Sequence, residues 1–304
     1  MFLIPQRSVR PSALSASELD RILQNALSED IGPGDVTTDA TIPAGRHATA
    51  QIVAKEEGVV AGLQAAARGF ALLQEAIDVR WACDDGASVR AGTVVGTLTG
   101  PAAALLTGER LALNLLQRMS GIATATRRMV DAAQPHGADI LDTRKTAPGL
   151  RLLDKWAVRL GGGTNHRMGL YDLILIKDNH IAATGSIEAV LDAALRYRAT
   201  HNPDLQIEIE TRTLDEVRTA CTHGGADILL LDNMVTMADE GTVDVSMLEE
   251  ALAIVDGRAR TEASGNVTLN TVAPIAATGV DAISSGALTH SVTALDVSMQ
   301  MELA

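Results

Sequence analysis

The residues most capable of chemistry fall close together. The apolar run Leu173-Ile174-Leu175-Ile176 reads as a fully buried strand, and it ends in Lys177, with His166 and Arg167 just upstream. A buried ammonium is costly unless an anion meets it. Between Arg144 and His180 seven Lys/Arg face only three Asp, and three of the chain's four lysines lie in that window. A locally basic stretch in a chain of net charge −13 points to a pocket for a small anion. A solvated helix face accounts for Arg151, Lys155 and Arg159, but not for Lys177.

The other polar residues complete a parts list. Arg144 and Lys145 leave one strand-like segment, His166 and Arg167 sit in the GGGTNHRMG turn, and Lys177 ends the next strand. Arg forks grip carboxylates in pairs and Lys serves as a point charge, so this set suits two carboxylates, or a carboxylate and a phosphate. Glu210 and Asp232 close two apolar strands and suit Mg²⁺ or ribose hydroxyls. Glu208 shares a face with Glu210 but lies deeper. Ser264-Gly265-Asn266 and Ser285-Gly286-Ala287 each precede a helix-like segment, with His290 just beyond, and suit a phosphate. The combination implies a polycarboxylate acid held beside a phosphorylated, Mg²⁺-bound sugar, and glycosyl transfer from a sugar pyrophosphate. GGGT at 161–164 is no P-loop, because no Gly-Lys-Ser/Thr follows.

These residues need a scaffold that gathers strand ends. Strands are expected at 138–143, 172–177, 205–210, 227–232, 260–264 and 280–284, with helices at 148–161, 186–199, 213–223, 246–256 and 268–278. Repeated βα units imply a parallel sheet covered by helices, and polar residues at every strand's C-terminal end favour a barrel over an open sheet. Six units are too few for the ~250 residues of a full eight-stranded barrel. The expected fold is therefore α/β, an incomplete barrel. Upstream, Ser15 and Glu18 form a capping-box pattern opening a helix to about Leu27. A turn-rich stretch at 32–39, a strand at 47–56, a helix at 63–76 and a hairpin at 87–100 follow. A long apolar-periodic segment, one helix or two joined near Gly121, covers 105–133.

Composition narrows the function classes. Hydrophobic residues at 46% support a sizeable core, while aromatics at 2% disfavour a base-stacking platform. The acidic balance disfavours nucleic-acid and anionic-membrane partners. Residues 1–10 are too short in apolar character for a signal-peptide core, and no run approaches a membrane helix, so a cytoplasmic protein is expected. Cys83 and Cys221 read as isolated buried thiols.

The runs EDIGPGDVTTD (29–39), LDTRKTAPGLRLLDKWAVRLGGGTNHRMGLYDLILIKDNHI (141–181), ILLLDNM (228–234), EASGNVTL (262–269) and GVDAISSGALTHS (279–291) resemble quinolinate phosphoribosyltransferases. The resemblance spans nearly the whole chain. It implies an N-terminal α/β sandwich domain over 1–115 and an incomplete, six- or seven-stranded α/β barrel over 116–287, with 288–304 packing back on the first domain. It implies a homodimer or higher homo-oligomer, with Arg110 of one subunit reaching a neighbour's site. By the same resemblance, Thr143, Arg144, Lys145, His166, Arg167 and Lys177 hold quinolinate. The resemblance places phosphoribosyl pyrophosphate and Mg²⁺ on Glu210, Asp232, Ser264, Gly265, Asn266, Ser285, Gly286, Ala287 and His290, with Glu210 and Asp232 as metal ligands.

The implied catalytic residues are Lys145, Glu210 and Asp232, and the implied products are nicotinate mononucleotide, pyrophosphate and CO₂. Departures from the family pattern are small: Trp156, Thr211 and Ser285. Two rivals share the scaffold: a paralogous group associated with molybdenum transport, and a relative acting on another aromatic dicarboxylate. An idle anion-binding protein would leave Glu210 and Asp232 without a purpose.

Overall fold

A computed structural model describes residues 14–74, 76–237 and 242–303. The segment 1–10, which bears on the signal-peptide question, lies outside the described residues. Among the described residues no helix is long and apolar enough to cross a membrane.

In chain order the elements are α1 (Ala16–Ile31), α2 (Val36–Thr41), β1 (His47–Ala54), β2 (Gly58–Val59), α3 (Leu63–Leu73), β3 (Asp78–Trp81), β4 (Ser88–Val89), β5 (Val94–Pro101) and α4 (Ala102–Ala133). There follow β6 (Asp139–Leu141), α5 (Arg151–Leu160), β7 (Ile174–Ile176), α6 (Asp178–Thr184), α7 (Ile187–His201), β8 (Ile207–Thr211), α8 (Leu214–His223) and β9 (Ile228–Asp232). The last are β10 (Thr236–Met237), β11 (Val243–Asp244), α9 (Ser246–Val255), β12 (Arg260–Ser264), α10 (Leu269–Ala277), β13 (Ala282–Ser284), α11 (Ala287–His290) and β14 (Val297–Leu303).

The chain divides into two compact units. The first holds the described residues through Arg127, then Thr146–Gly162, then those from Leu288 onward. Its sheet runs β14-β1-β5-β3, all antiparallel. Alternation in β1 buries Ala48, Ala50, Ile52 and Ala54, which join Phe70 of α3 and Leu105 and Leu116 of α4 in one apolar core. Buried hydroxyls on α4 are used: the amides of Val59 and Ala61 donate to Thr124 and Ser120 at 2.9 Å each. Helix α5 belongs here because fully buried Asp154 takes Arg118 in a two-pronged pair at 2.8 and 2.7 Å.

Several local expectations change. Part of the stretch 32–39 is helical: α2 begins at Val36, capped by the Asp35 carboxylate on the Thr38 amide. Residues 87–100 form no hairpin, because β4 pairs with β2 while β5 pairs with β1 and β3. Helix α4 runs unbroken through Gly121, where an added Cβ would come within 2.2 Å of the Thr293 carbonyl. Lys155 is fully buried, so the solvated-face reading fails for it. Both cysteines are half-buried rather than buried, and desolvation raises each thiol.

The second unit holds Arg128–Lys145 and Gly163–Ala287. Its six strands are all parallel, in the order β6-β13-β12-β9-β8-β7. Reading from β7, each strand lies beside the next in the chain, and the last, β13, lies beside the first, β6. That cyclic order is barrel winding with one seam left open, between β6 and β7. A single parallel bridge from Leu141 to Thr164 spans part of the seam. The open seam also corrects the reading of Leu173–Ile176: as an edge strand pairing only with β8, β7 has just Ile176 fully buried.

Candidate active site

The parallel strands deliver their C-terminal residues to one end of the sheet. Strand β8 is buried along its whole length and carries Glu210, 5% exposed, one residue before its end, in an ion pair with Lys177. The Lys177 side chain is 44% exposed, so it is a half-open cation rather than a buried one, as the edge position of β7 dictates. On the next strand, Asp232 accepts from the Asn233 side chain at 2.7 Å. Arg212 joins the two carboxylates: Nη2 lies 2.8 Å from Glu210 Oε1 and Nε 3.3 Å from Asp232 Oδ2, while Nη1 reaches Asp178 at 2.9 Å. Burial, then the neighbouring Glu210, pushes the Asp232 carboxyl up, and Glu210 foremost raises Arg212.

Sequence reasoning overlooked Arg212. The signal was available, since strand alternation carries 208 and 210 on to 212.

The loop after β6 carries Thr143, Arg144 and Lys145. The Lys145 amide donates to Thr143 Oγ1 at 3.0 Å, and Lys145 itself is exposed. Arg144 is half-buried, and its Nε is a buried donor with no hydrogen-bond partner among the described residues. Arg167 donates from Nη1 to the Leu173 carbonyl at 3.2 Å. Its guanidinium is held below its ordinary basicity, first by burial and then by repulsion from Arg144. Two cations close enough to oppose one another, one with a buried donor unmet among the described residues, have the chemistry to take an anion such as a carboxylate.

Beneath them, His166 is held by several elements. Its amide donates to Asp142, just beyond β6, at 2.9 Å. Its Nε2 lies 3.1 Å from Glu208 of β8 and 3.6 Å from Glu262 of β12. Its Nδ1 accepts the Arg167 amide at 2.6 Å.

The glycine turns occupy the remaining strand ends. Gly265 has φ +87°, and a Cβ there would meet Asn233 Oδ1 at 2.1 Å. Asn266 follows with φ +55° and donates to the Val235 carbonyl at 3.1 Å, while the Asn233 amide donates to the Ser264 carbonyl at 2.8 Å. The two turns after β9 and β12 thus lock together. Ser285 is buried, its amide bonded to Leu141 and its hydroxyl to Val267 at 3.3 Å, and Gly286 and Ala287 follow half-buried. Arg110 and His290 belong to the first unit; Arg110 is exposed on α4, and His290 Nδ1 lies 2.7 Å from Ser291 Oγ.

Comparison with known proteins agrees with this geometry. Residues 35–120 match the family model of the quinolinate phosphoribosyl transferase N-terminal domain, and residues 122–300 match that of the C-terminal domain. A curated tobacco relative, quinolinate phosphoribosyltransferase [decarboxylating] 1b, is 49% identical over 300 residues, 97% of this chain and 85% of its own. The Bacillus subtilis protein named probable nicotinate-nucleotide pyrophosphorylase [carboxylating] is 44% identical, over 94% of each chain. The crystal structure of NadC from Streptococcus pyogenes superposes with a TM-score of 0.88 at 37% identity, covering 97% of this chain and all of the other. With both domains matched in order and the strand-end constellation assembled on one parallel sheet, the chain belongs to the quinolinate phosphoribosyltransferase family.

Proposed function

We propose that the protein transfers the phosphoribosyl group of phosphoribosyl pyrophosphate to quinolinate and removes its 2-carboxylate. The products are nicotinate mononucleotide, pyrophosphate and CO₂, on the route by which pyridine nucleotides and NAD are built. One observation carries the reading. At a single end of one parallel sheet, the opposed guanidiniums of Arg144 and Arg167 stand with the Glu210 and Asp232 carboxylates.

Arg144, Arg167 and Lys177 hold the two substrate carboxylates and fix the ring for attack. The pyridine nitrogen attacks the anomeric carbon as the bond to pyrophosphate breaks, and that electron pair leaves with pyrophosphate. Glu210 and Asp232 face the sugar as positive charge develops, which their own charge favours. The ring nitrogen is now cationic, so the bond from C2 to its carboxylate breaks, its electron pair stays on C2, CO₂ departs and C2 takes up a proton. Lys145 keeps the carboxylate in register for that step rather than acting as a nucleophile.

The donor set fits Mg²⁺: two hard carboxylates on adjacent strands, whose charge Arg212 and Lys177 balance. Magnesium, when bound, neutralises the pyrophosphate and its departing charge. The same reading has the enzyme work in the cytoplasm as a homodimer or higher homo-oligomer, with Arg110 serving a neighbouring copy. The support for that assembly is the family resemblance. Mixing Arg110→Ala and Lys145→Ala chains tests it, since hybrid oligomers regain activity only if Arg110 acts across subunits.

The deciding experiment supplies purified protein with Mg²⁺, phosphoribosyl pyrophosphate and ring-labelled quinolinate, with nicotinate in parallel. Nicotinate mononucleotide from quinolinate but not from nicotinate is expected. No product from either, in protein that still binds phosphoribosyl pyrophosphate, overturns the reading in favour of another aromatic acid.

A further inference from the structure

A single residue, Arg212, separates strand β8 from Thr213, the N-cap of α8. Its amide donates to Glu216 Oε2 at 2.6 Å, and the Glu216 amide donates to Thr213 Oγ1 at 3.2 Å. This capping box fixes the main chain of Arg212 at the C-terminal mouth of the sheet. The side chain beyond it is 49% exposed.

The guanidinium spans carboxylates from three segments: Glu210 on β8, Asp232 at the end of β9 and Asp178 at the start of α6. Each contact uses a different nitrogen, so three of its five N–H groups are engaged and two lie outside these contacts. Half-exposed ion pairs contribute little to stability, so holding the fold together is a weak reason for a guanidinium here. A lysine ammonium would balance the carboxylates as a point charge. What the planar fork adds is a paired grip on phosphate oxygens. The sheet order indicates which phosphate. The glycine turns that suit one phosphate follow β12 and β13, whereas β8 lies two strands from β12, across β9. An anion of the same substrate that reaches Arg212 is therefore its other end.

We propose that Arg212 grips the pyrophosphate of phosphoribosyl pyrophosphate, a role that rests on the reading of that compound as the phosphoribosyl donor. In the substrate-free protein the guanidinium holds Glu210 and Asp232 against their mutual repulsion. A divalent ion on those carboxylates supplies the same charge, which leaves the fork to the pyrophosphate oxygens. When the bond between the anomeric carbon and pyrophosphate breaks, its electron pair stays on the leaving oxygen. Negative charge then grows beside Arg212, and a positive fork already in place favours departure.

The test is calorimetric titration of full-length wild type, Arg212→Gln and Arg212→Lys at one fixed Mg²⁺ concentration. The ligands are phosphoribosyl pyrophosphate, inorganic pyrophosphate, ribose 5-phosphate and quinolinate, each added alone. Arg212→Gln should weaken phosphoribosyl pyrophosphate and pyrophosphate by about ten- to a hundred-fold, with ribose 5-phosphate and quinolinate unchanged. Arg212→Lys keeps the charge without the fork and should lose about three- to ten-fold on the same two ligands. A guanidinium that only braced the mouth of the sheet would, on removal, weaken all four ligands together, and that result overturns the proposal. So does an unchanged affinity for pyrophosphate, or a loss confined to ribose 5-phosphate. If Arg212→Gln fails to fold, Arg212→Lys decides, since wild-type pyrophosphate affinity in that variant is equally fatal. If the wild type does not bind phosphoribosyl pyrophosphate, the functional reading fails, whereas inorganic pyrophosphate still tests the grip.

Discussion

Arg212 Nη2 lies 2.8 Å from Glu210 Oε1, so the carboxylate best placed to receive a metal is already engaged by a guanidinium of the same chain. The side chain is half-exposed, and solvent screening limits the pair to about 1–2 kcal/mol. Arg212→Gln should strengthen binding of Mn²⁺ to the substrate-free protein by about ten-fold, while Arg212→Lys stays near the wild type. Electron paramagnetic resonance of free Mn²⁺ measures this directly. Equal affinities in wild type and Arg212→Gln would mean that the guanidinium does not compete for the site.

Lys145 sits on an exposed loop position with its amide tied to Thr143. Lys145→Ala should lower kcat by about a hundred-fold or more while circular dichroism and thermal unfolding stay as in the wild type. Near-normal turnover would remove Lys145 from the chemistry.

Glu262 gives a pH signature in stability. Burial, then the Glu208 charge, raises its carboxyl from 4.5 to about 7, against the opposing pull of His166, Ser284 and Arg260. Because the folded value lies above the unfolded one, the stabilisation is complete below about pH 4.5 and is lost as pH rises through about 7. The melting temperature should therefore decline between pH 5 and 8, and Glu262→Gln should flatten that decline. A variant whose profile parallels the wild type would assign the titration to another group.

Gly265 tests the locked turns. Its φ of +87° and the 2.1 Å approach of an added Cβ to Asn233 Oδ1 both exclude a side chain. Gly265→Ala should cost about 1–3 kcal/mol of stability and weaken phosphoribosyl pyrophosphate more than quinolinate, since Asn233 also steadies Asp232. Calorimetric titration with each substrate separates the two effects. Equal losses for both would point to general damage.

Much of the scaffold was legible in the chain. The six βα units, their parallel pairing and the polar residues at each strand end follow from periods of two and 3.6, which are local properties. The misreadings have a common origin. Residues 87–100 looked like a hairpin because adjacent strands separated by glycines usually pair, yet each strand found a better partner elsewhere. Lys155 looked solvated because helix periodicity does not say what covers the charged face. Leu173–Ile176 looked fully buried because an apolar run does not reveal that its strand borders an open seam.

By itself the sequence determined which residues stand at strand ends and that cations and carboxylates would share one end of a parallel sheet, because chain direction and side-chain alternation are set residue by residue. Only the tertiary structure decided that Arg212 joins Glu210 to Asp232, that Lys177 is half-open, and that Glu262 meets Glu208 across His166. Those contacts depend on which strands become neighbours and how deep each side chain lies, and both are settled by packing between segments far apart in the chain.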